Sequence, residues 1–203
     1  MTLKSVNTPI ILSFIILSYV IFITTNNITL LPAISILFED NKLKINDPLF
    51  SLSIPIIELI ILNIFPSSLK NIIIFFRIKD PLPGSRIFTK IAPKDSRIDL
   101  KEIENVYGVL PSNPDEQNKY WYKIYKIKQD EKIVLSSHKK WLLLRDLYIV
   151  ALVLLALMVI YTIVYNKLRI NYTFFIVYIL VLISLHISAY NAGNRFACNV
   201  LAR

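Results

Sequence analysis

The chain has one cysteine, two histidines and three glycines among 203 residues, and only 18% of it is charged. Each scarcity removes a class of chemistry. Cys198 alone forms no intramolecular disulfide and no Cys-x-x-Cys metal knuckle. His138 and His186 are too far apart for an H-E-x-x-H pair. Gly84, Gly108 and Gly193 are too dispersed for a G-x-G-x-x-G turn or a P-loop, which need neighbouring glycines so that backbone can approach phosphate. No cofactor, metal site or catalytic set is expected.

What is present is apolar. The hydrophobic share is 55% and the mean hydropathy is +0.54, against 45–50% apolar and about 25% charged for an ordinary soluble domain. The charges cluster, and the gaps between them carry the main signal. No Asp, Glu, Lys or Arg occurs over residues 5–38, over the 20 residues 147–166 or over the 25 residues 170–194. A helix needs about 20 mainly apolar residues to cross a hydrocarbon core of ~30 Å. The last two gaps therefore predict one span each, 147–166 and 172–190, joined as a helical hairpin.

The first gap is too short for two spans. It predicts a helix over 9–25, stopped by Asn26-Asn27, and a re-entrant or interfacial piece over 28–38 that Pro32 interrupts. The missing A-x-A cleavage site favours an uncleaved anchor over a signal peptide. A fourth span is expected over 50–66. Its eleven Leu, Ile and Phe residues, worth about −0.3 to −0.6 kcal/mol each, are set against Glu58, which costs roughly 3 kcal/mol at mid-membrane. The expected architecture is an all-α integral membrane protein with four spans. Its parts are an N-terminal membrane region 1–66, a basic helical cytoplasmic domain 67–146, a C-terminal hairpin 147–190 and a tail 191–203.

Lys and Arg counts set the orientation. Residues 67–146 carry 16 of the 23 basic residues and 10 of the 14 acids, a net charge of +6. Cytoplasmic loops collect such an excess, so both termini and the central segment are expected in the cytoplasm, with the chain in a bacterial inner membrane. Lys167 and Arg169 on the outer link are a mild exception. Asn27-Ile-Thr29 and Asn171-Tyr-Thr173 spell glycosylation sequons. The Ile, Asn and Lys bias suggests an AT-rich genome in which chance sequons are common, so neither is given weight.

Within the central segment, 67–76 reads as an interfacial helix, and Pro81, Pro83 and Gly84 force a loop. Asp99 and Glu102 start a short helix that ends near Tyr107, with Gly108 as a left-handed cap. Asn113 and Pro114 start the next, to about Lys128. On it Tyr120, Ile124 and Ile127 define an apolar face flanked by Trp121 and Tyr125, and Lys119, Lys123 and Lys126 define a basic one. A third helix, about 132–145, aligns Val134, His138, Trp141 and Arg145 and can run directly into the next span.

Three candidate sites emerge, each with a plainer reading beside it. Glu58 in the membrane, with His186 as a conceivable partner, suits a proton or cation path; the plainer reading is a protonated glutamate bonded to a neighbouring helix. Lys119, Lys123 and Lys126 with Trp121 form a basic and aromatic surface for lipid headgroups or a partner; the plainer reading is a solvated face. Ser85, Arg86, Lys90 and Arg97, with Thr89, suit an anion-binding loop; the plainer reading is a loop whose Arg97 pairs with Asp95 or Asp99.

The stretch 83–146, with PGSRIFTK, DSRID, QNKYWY and HKKWLLLRD, resembles a pattern in small uncharacterised bacterial multi-pass membrane proteins. In plan, though not in residues, the chain is also similar to membrane accessory proteins of phage-defence systems. The resemblance implies a few spans joined to a basic cytoplasmic domain and carries over no site residue. The leading expectation is a non-enzymatic membrane effector or accessory protein that self-associates or binds a cytoplasmic protein partner. Membrane lipids are its other expected contact, with nucleic acid ranked behind. The alternatives are a small ion or proton channel or transporter using Glu58, and a membrane-bound lipid-acting enzyme.

Overall fold

A computed structural model describes residues 6–25, 60, 64–164 and 172–202. Among them 83% are helical and none is in a strand, so the described part is all-α. Six α-helices are described: α1 (Thr8–Thr25), α2 (Ser67–Phe75), α3 (Leu100–Tyr107), α4 (Pro114–Lys128), α5 (Lys132–Val164) and α6 (Tyr172–Leu201). Between α2 and α3 runs a chain of tight turns: 3₁₀ over Pro83–Arg86, π over Ile87–Ile91 and 3₁₀ again over Ala92–Lys94.

α5 and α6 are long and apolar enough to cross a membrane. At 33 and 30 residues they are ~50 and ~45 Å long, more than a ~30 Å hydrocarbon core requires. Each therefore has a polar end left over. α1 is shorter, at 18 residues. It packs on the apolar parts of the other two, where Ile11 and Phe22 meet Leu147, Val150, Leu154, Met158, Phe174 and Tyr178. Two contacts give its direction. Asn7 Nδ2 donates to the Lys139 carbonyl at 3.1 Å, and the Phe22 and Phe174 rings lie 5.4 Å apart at the other end. So α1 runs parallel to α5 and antiparallel to α6. The outward faces are apolar: Leu17 and Val20 on α1, Leu157, Ile160 and Ile163 on α5, and Ile176, Leu180, Ile183 and Ile187 on α6 are exposed.

The polar ends of α5 and α6 carry a second core. Ile74 and Phe75 of α2, Ile87 and Phe88 of the turns, Trp121 and Ile124 of α4, Val134 and Trp141 of α5, and Phe196 of α6 pack together. The helices around it are capped locally. The Asp99 carboxylate accepts from the Lys101 and Glu102 N–H groups, and the Asn113 side chain accepts from Asp115 N–H with Pro114 at the first helical position.

Several expectations need correction or fall elsewhere. The helix expected from 132 does run directly into the span after it, as one unbroken helix, α5, because no Pro, Gly or cap separates them. The buried face of α4 is Gln117, Trp121 and Ile124, while Ile127 is exposed. The helix is turned by the turns at 83–91, whose backbone draws Gln117 inward. Gly108 has φ 94° and ψ −177°, not left-handed helical values; its N–H still closes α3 onto the Glu104 carbonyl. The loop expected after Pro81 is ordered: residues 83–94 form a run of tight turns. The interfacial piece over 28–38, nearly all of the span expected over 50–66, Glu58 and the sequon asparagines Asn27 and Asn171 lie outside the described residues.

Candidate functional site

Gln117 explains how α4 is held. It is buried, its Oε1 accepts from the Phe88 N–H at 3.1 Å and its Nε2 donates to the Ser112 carbonyl at 2.7 Å. Four residues on, Trp121 Nε1 donates to the Ala197 carbonyl of α6 at 3.0 Å. Trp121 is therefore a core residue and does not stand on the basic face. That face itself is exposed, with Lys119, Tyr122, Lys123 and Lys126 all facing outward. Lys119 is paired with Asp115 at 2.6 Å, and this hydrogen bond raises its pKa. Lys126 lies 5.3 Å from the Tyr122 ring centroid, a cation–π distance. Lys123 and Lys126 thus carry the excess charge of the face.

Most residues of the expected anion-binding loop are already engaged. The Ser85 hydroxyl donates to the Leu82 carbonyl at 2.6 Å and the Asp80 carbonyl at 2.8 Å. Arg86 reaches the Pro81 and Leu82 carbonyls and lies over the Phe75 ring; burial, then the charge of Arg77, lower its pKa. Thr89 bonds the Gln117 side chain. Lys90 is exposed. Arg97 grips both oxygens of Asp95, at 2.9 and 2.6 Å, and reaches Asn199 Oδ1 at 3.0 Å. The Arg97 hydrogen bond holds Asp95 down to a pKa of about 2. His186, on α6, lies between the rings of Phe76 and Tyr148, with centroids at 4.7 and 5.1 Å.

Two features of this end of the molecule escape sequence reasoning. The first is a buried ion cluster. Lys70 Nζ of α2 lies 3.2 Å from Asp146 Oδ1 of α5, with side chains only 3% and 8% exposed. Arg145 Nε donates to the same oxygen at 3.0 Å. The clue available in sequence is Lys70, a lone charge in the apolar run SSLKNIIIFF. The second is a chamber of about 200 Å³ walled by Trp121, Tyr125, His138, Trp141 and Phe196. The His138 ring stacks on Phe196 at 4.6 Å, and Tyr125 Oη lies 3.1 Å from His138 Nδ1. Gly84 and Gly193 line the chamber. A Cβ on Gly84 would lie 2.5 Å from Asn118 Oδ1, and one on Gly193 would lie 2.7 Å from Phe75 Cζ. A side chain at Gly84 would push the Asn118 amide aside, and one at Gly193 would displace the Phe75 and Trp141 rings.

No family model, curated protein or solved structure matches this chain. The geometry alone therefore carries the functional reading.

Proposed function

We propose that this is an integral membrane protein of a bacterial inner membrane that acts without covalent chemistry, as an effector or accessory component. In this reading α5 and α6 cross the bilayer, α1 and a segment within 50–66 complete a four-span anchor, and both termini face the cytoplasm with the basic module. The module docks an acidic cytoplasmic protein surface through the exposed face of α4. The observation that carries the reading is the division of that helix. Gln117, Trp121 and Ile124 fasten one face to the core, which leaves Tyr122, Lys123 and Lys126 outward on a rigid support. A rigid basic and aromatic face suits recognition, since little side-chain ordering remains to oppose binding. A channel through Glu58 would rest on residues outside those described.

The test uses the full chain in detergent and a poly-glutamate peptide as the acidic probe. Replacing Lys123 and Lys126 together by Gln should leave folding unchanged and weaken binding by about tenfold, with the wild-type attraction fading as salt screens exposed charges. Salt-insensitive binding, equal in wild type and double variant, would show the face to be merely solvated.

A further inference from the structure

We propose that the turn after α2, residues 76–79, seats an anionic phospholipid at the membrane surface: Phe76 and Ile78 enter the acyl region, and Arg77 and Lys79 hold the headgroup phosphate. The inference rests on the proposed crossing of the bilayer by α5 and α6, and not on the docking role of α4. The chain leaves α2 abruptly. Phe76 has φ 49° and Asp80 φ 50°, the two non-glycine residues with positive φ among those described. A bulky aromatic residue resists that conformation, which persists only where its surroundings fix it. Here it turns Phe76 and Ile78 outward, 77% and 88% exposed. They alternate with Arg77 and Lys79, which are exposed as well. Bare apolar side chains interleaved with long cationic ones suit a membrane surface, where the charged heads stay wet and the stems lie along apolar groups.

The depth of the turn agrees. The Phe76 ring packs at 4.7 Å on His186 of α6. With Tyr172 at the far surface, His186 lies ~21 Å and Tyr190 ~27 Å along α6 at ~1.5 Å per residue, against a hydrocarbon core of ~30 Å. Phe76 is thus just inside the near edge, and Tyr190 is close to it, where tyrosine concentrates. Phe75 packs on Tyr190 at 5.5 Å, and Arg86 lies over the Phe75 ring. The cations therefore gather at headgroup level, and their charge is uncompensated. Among the described residues Arg77, Lys79 and Arg86 form no ion pair, and Asp80, the acid of the turn, pairs with none of them. Burial and then the Arg77 charge lower the Arg86 pKa, as expected of two guanidiniums in one field. Arg86 spends N–H groups on the Pro81 and Leu82 carbonyls and adds charge, while Arg77 and Lys79 keep their donors for a phosphodiester. An acidic peptide would satisfy the cations alone; a phospholipid also covers Phe76 and Ile78.

The experiment reconstitutes the full chain in vesicles of phosphatidylcholine and phosphatidylglycerol in equal amounts. Native mass spectrometry then counts the lipids retained after detergent extraction. Wild type should retain phosphatidylglycerol preferentially. Arg77→Gln should lower that preference by about fivefold, and Arg77→Gln with Lys79→Gln by about thirtyfold. Arg77→Lys, which keeps the charge, should keep most of it, and so should Lys123→Gln with Lys126→Gln. Soluble glycerol 3-phosphate should not displace the lipid. A fluorophore on Ile78→Cys, read against wild type because Cys198 is buried, should emit as in a bilayer. The proposal is overturned by an inserted chain without the preference, or by a preference that the Arg77 and Lys79 variants leave unchanged. Equal loss in the Lys123 and Lys126 variant, displacement by glycerol 3-phosphate or water-like emission at position 78 would also overturn it. Wild type stripped from the vesicles by alkaline carbonate would overturn the membrane reading and this proposal together.

Discussion

Asp146 takes two cations on one oxygen, from Lys70 three helices away and from Arg145 beside it. All three side chains are nearly excluded from solvent. Removing the carboxylate leaves a buried guanidinium without its counter-charge, a change that typically costs 3–5 kcal/mol. Asp146→Asn, which keeps shape, should therefore lower stability by about that much in detergent unfolding. The joint replacement of Lys70, Arg145 and Asp146 by methionine or leucine should restore most of it, because matched apolar groups no longer pay desolvation. A joint variant as unstable as Asp146→Asn would locate the effect in shape rather than charge. The outer pair, Asp95 with Arg97, behaves differently because Arg97 is half exposed. Its signature is pH dependence. The folded Asp95 titrates near 2, below the value of about 3.9 for an unfolded chain. The unfolded chain therefore takes up the proton first as pH falls, and the pair's stabilisation is complete above about pH 4 and lost as pH falls through about 2. The stability gap between wild type and Asp95→Asn should shrink across that window. A gap that stays constant down to about pH 2 would sink this assignment.

At the scale of elements, what was legible followed local rules. Asp99 and Asn113 cap α3 and α4 because a short polar side chain can satisfy an amide two residues on. The stripe Val134, Trp141 and Arg145 is buried along one face of α5, with His138 half-buried on it, as its helical spacing requires. What was not legible depended on distant partners. The turns at 83–94 lack a sequence signature beyond Pro83 and Gly84, and their fit against α4 depends on the missing Cβ of Gly84. The true inward face of α4 contains a glutamine, which hydropathy assigns to solvent. Its partners lie 28 and 29 residues away, at Thr89 and Phe88. The cavity and ion cluster were hidden for the same reason, since Asn71, Asn118 and Arg145 meet only in the fold. Gln117→Leu is the test of this account. By pattern it improves an amphipathic helix. In the fold it strands the Phe88 N–H, so stability should fall by roughly 1–3 kcal/mol. A neutral or stabilised leucine variant would mean that the turns are held by packing alone.

Seen whole, the molecule has a polar end and an apolar end, and several contacts tie the polar end together. Asn7, just before α1, bonds the carbonyl of Lys139 in the polar part of α5. The last turns of α6 are fastened to the module through Trp121 to Ala197 and Arg97 to Asn199. The start of α1, the module and the end of α6 thus share one side, whichever way the chain faces. In the proposed reading the Lys and Arg excess of residues 67–146 puts that side in the cytoplasm, because basic segments resist translocation. The shared polar end and its orientation are separable by experiment. Reporter fusions at Ser112 and at the C-terminus should both read as cytoplasmic, and one at Asn41 as exported. If Ser112 and the C-terminus report opposite sides, α6 does not end against the module, and the packing of Trp121 on Ala197 fails with it. If both are exported together, the packing stands and the charge argument fails. Only cytoplasmic readings at both positions, with export at Asn41, support the shared polar end and its orientation at once, and they would place the basic face of α4 where an acidic cytoplasmic partner can reach it.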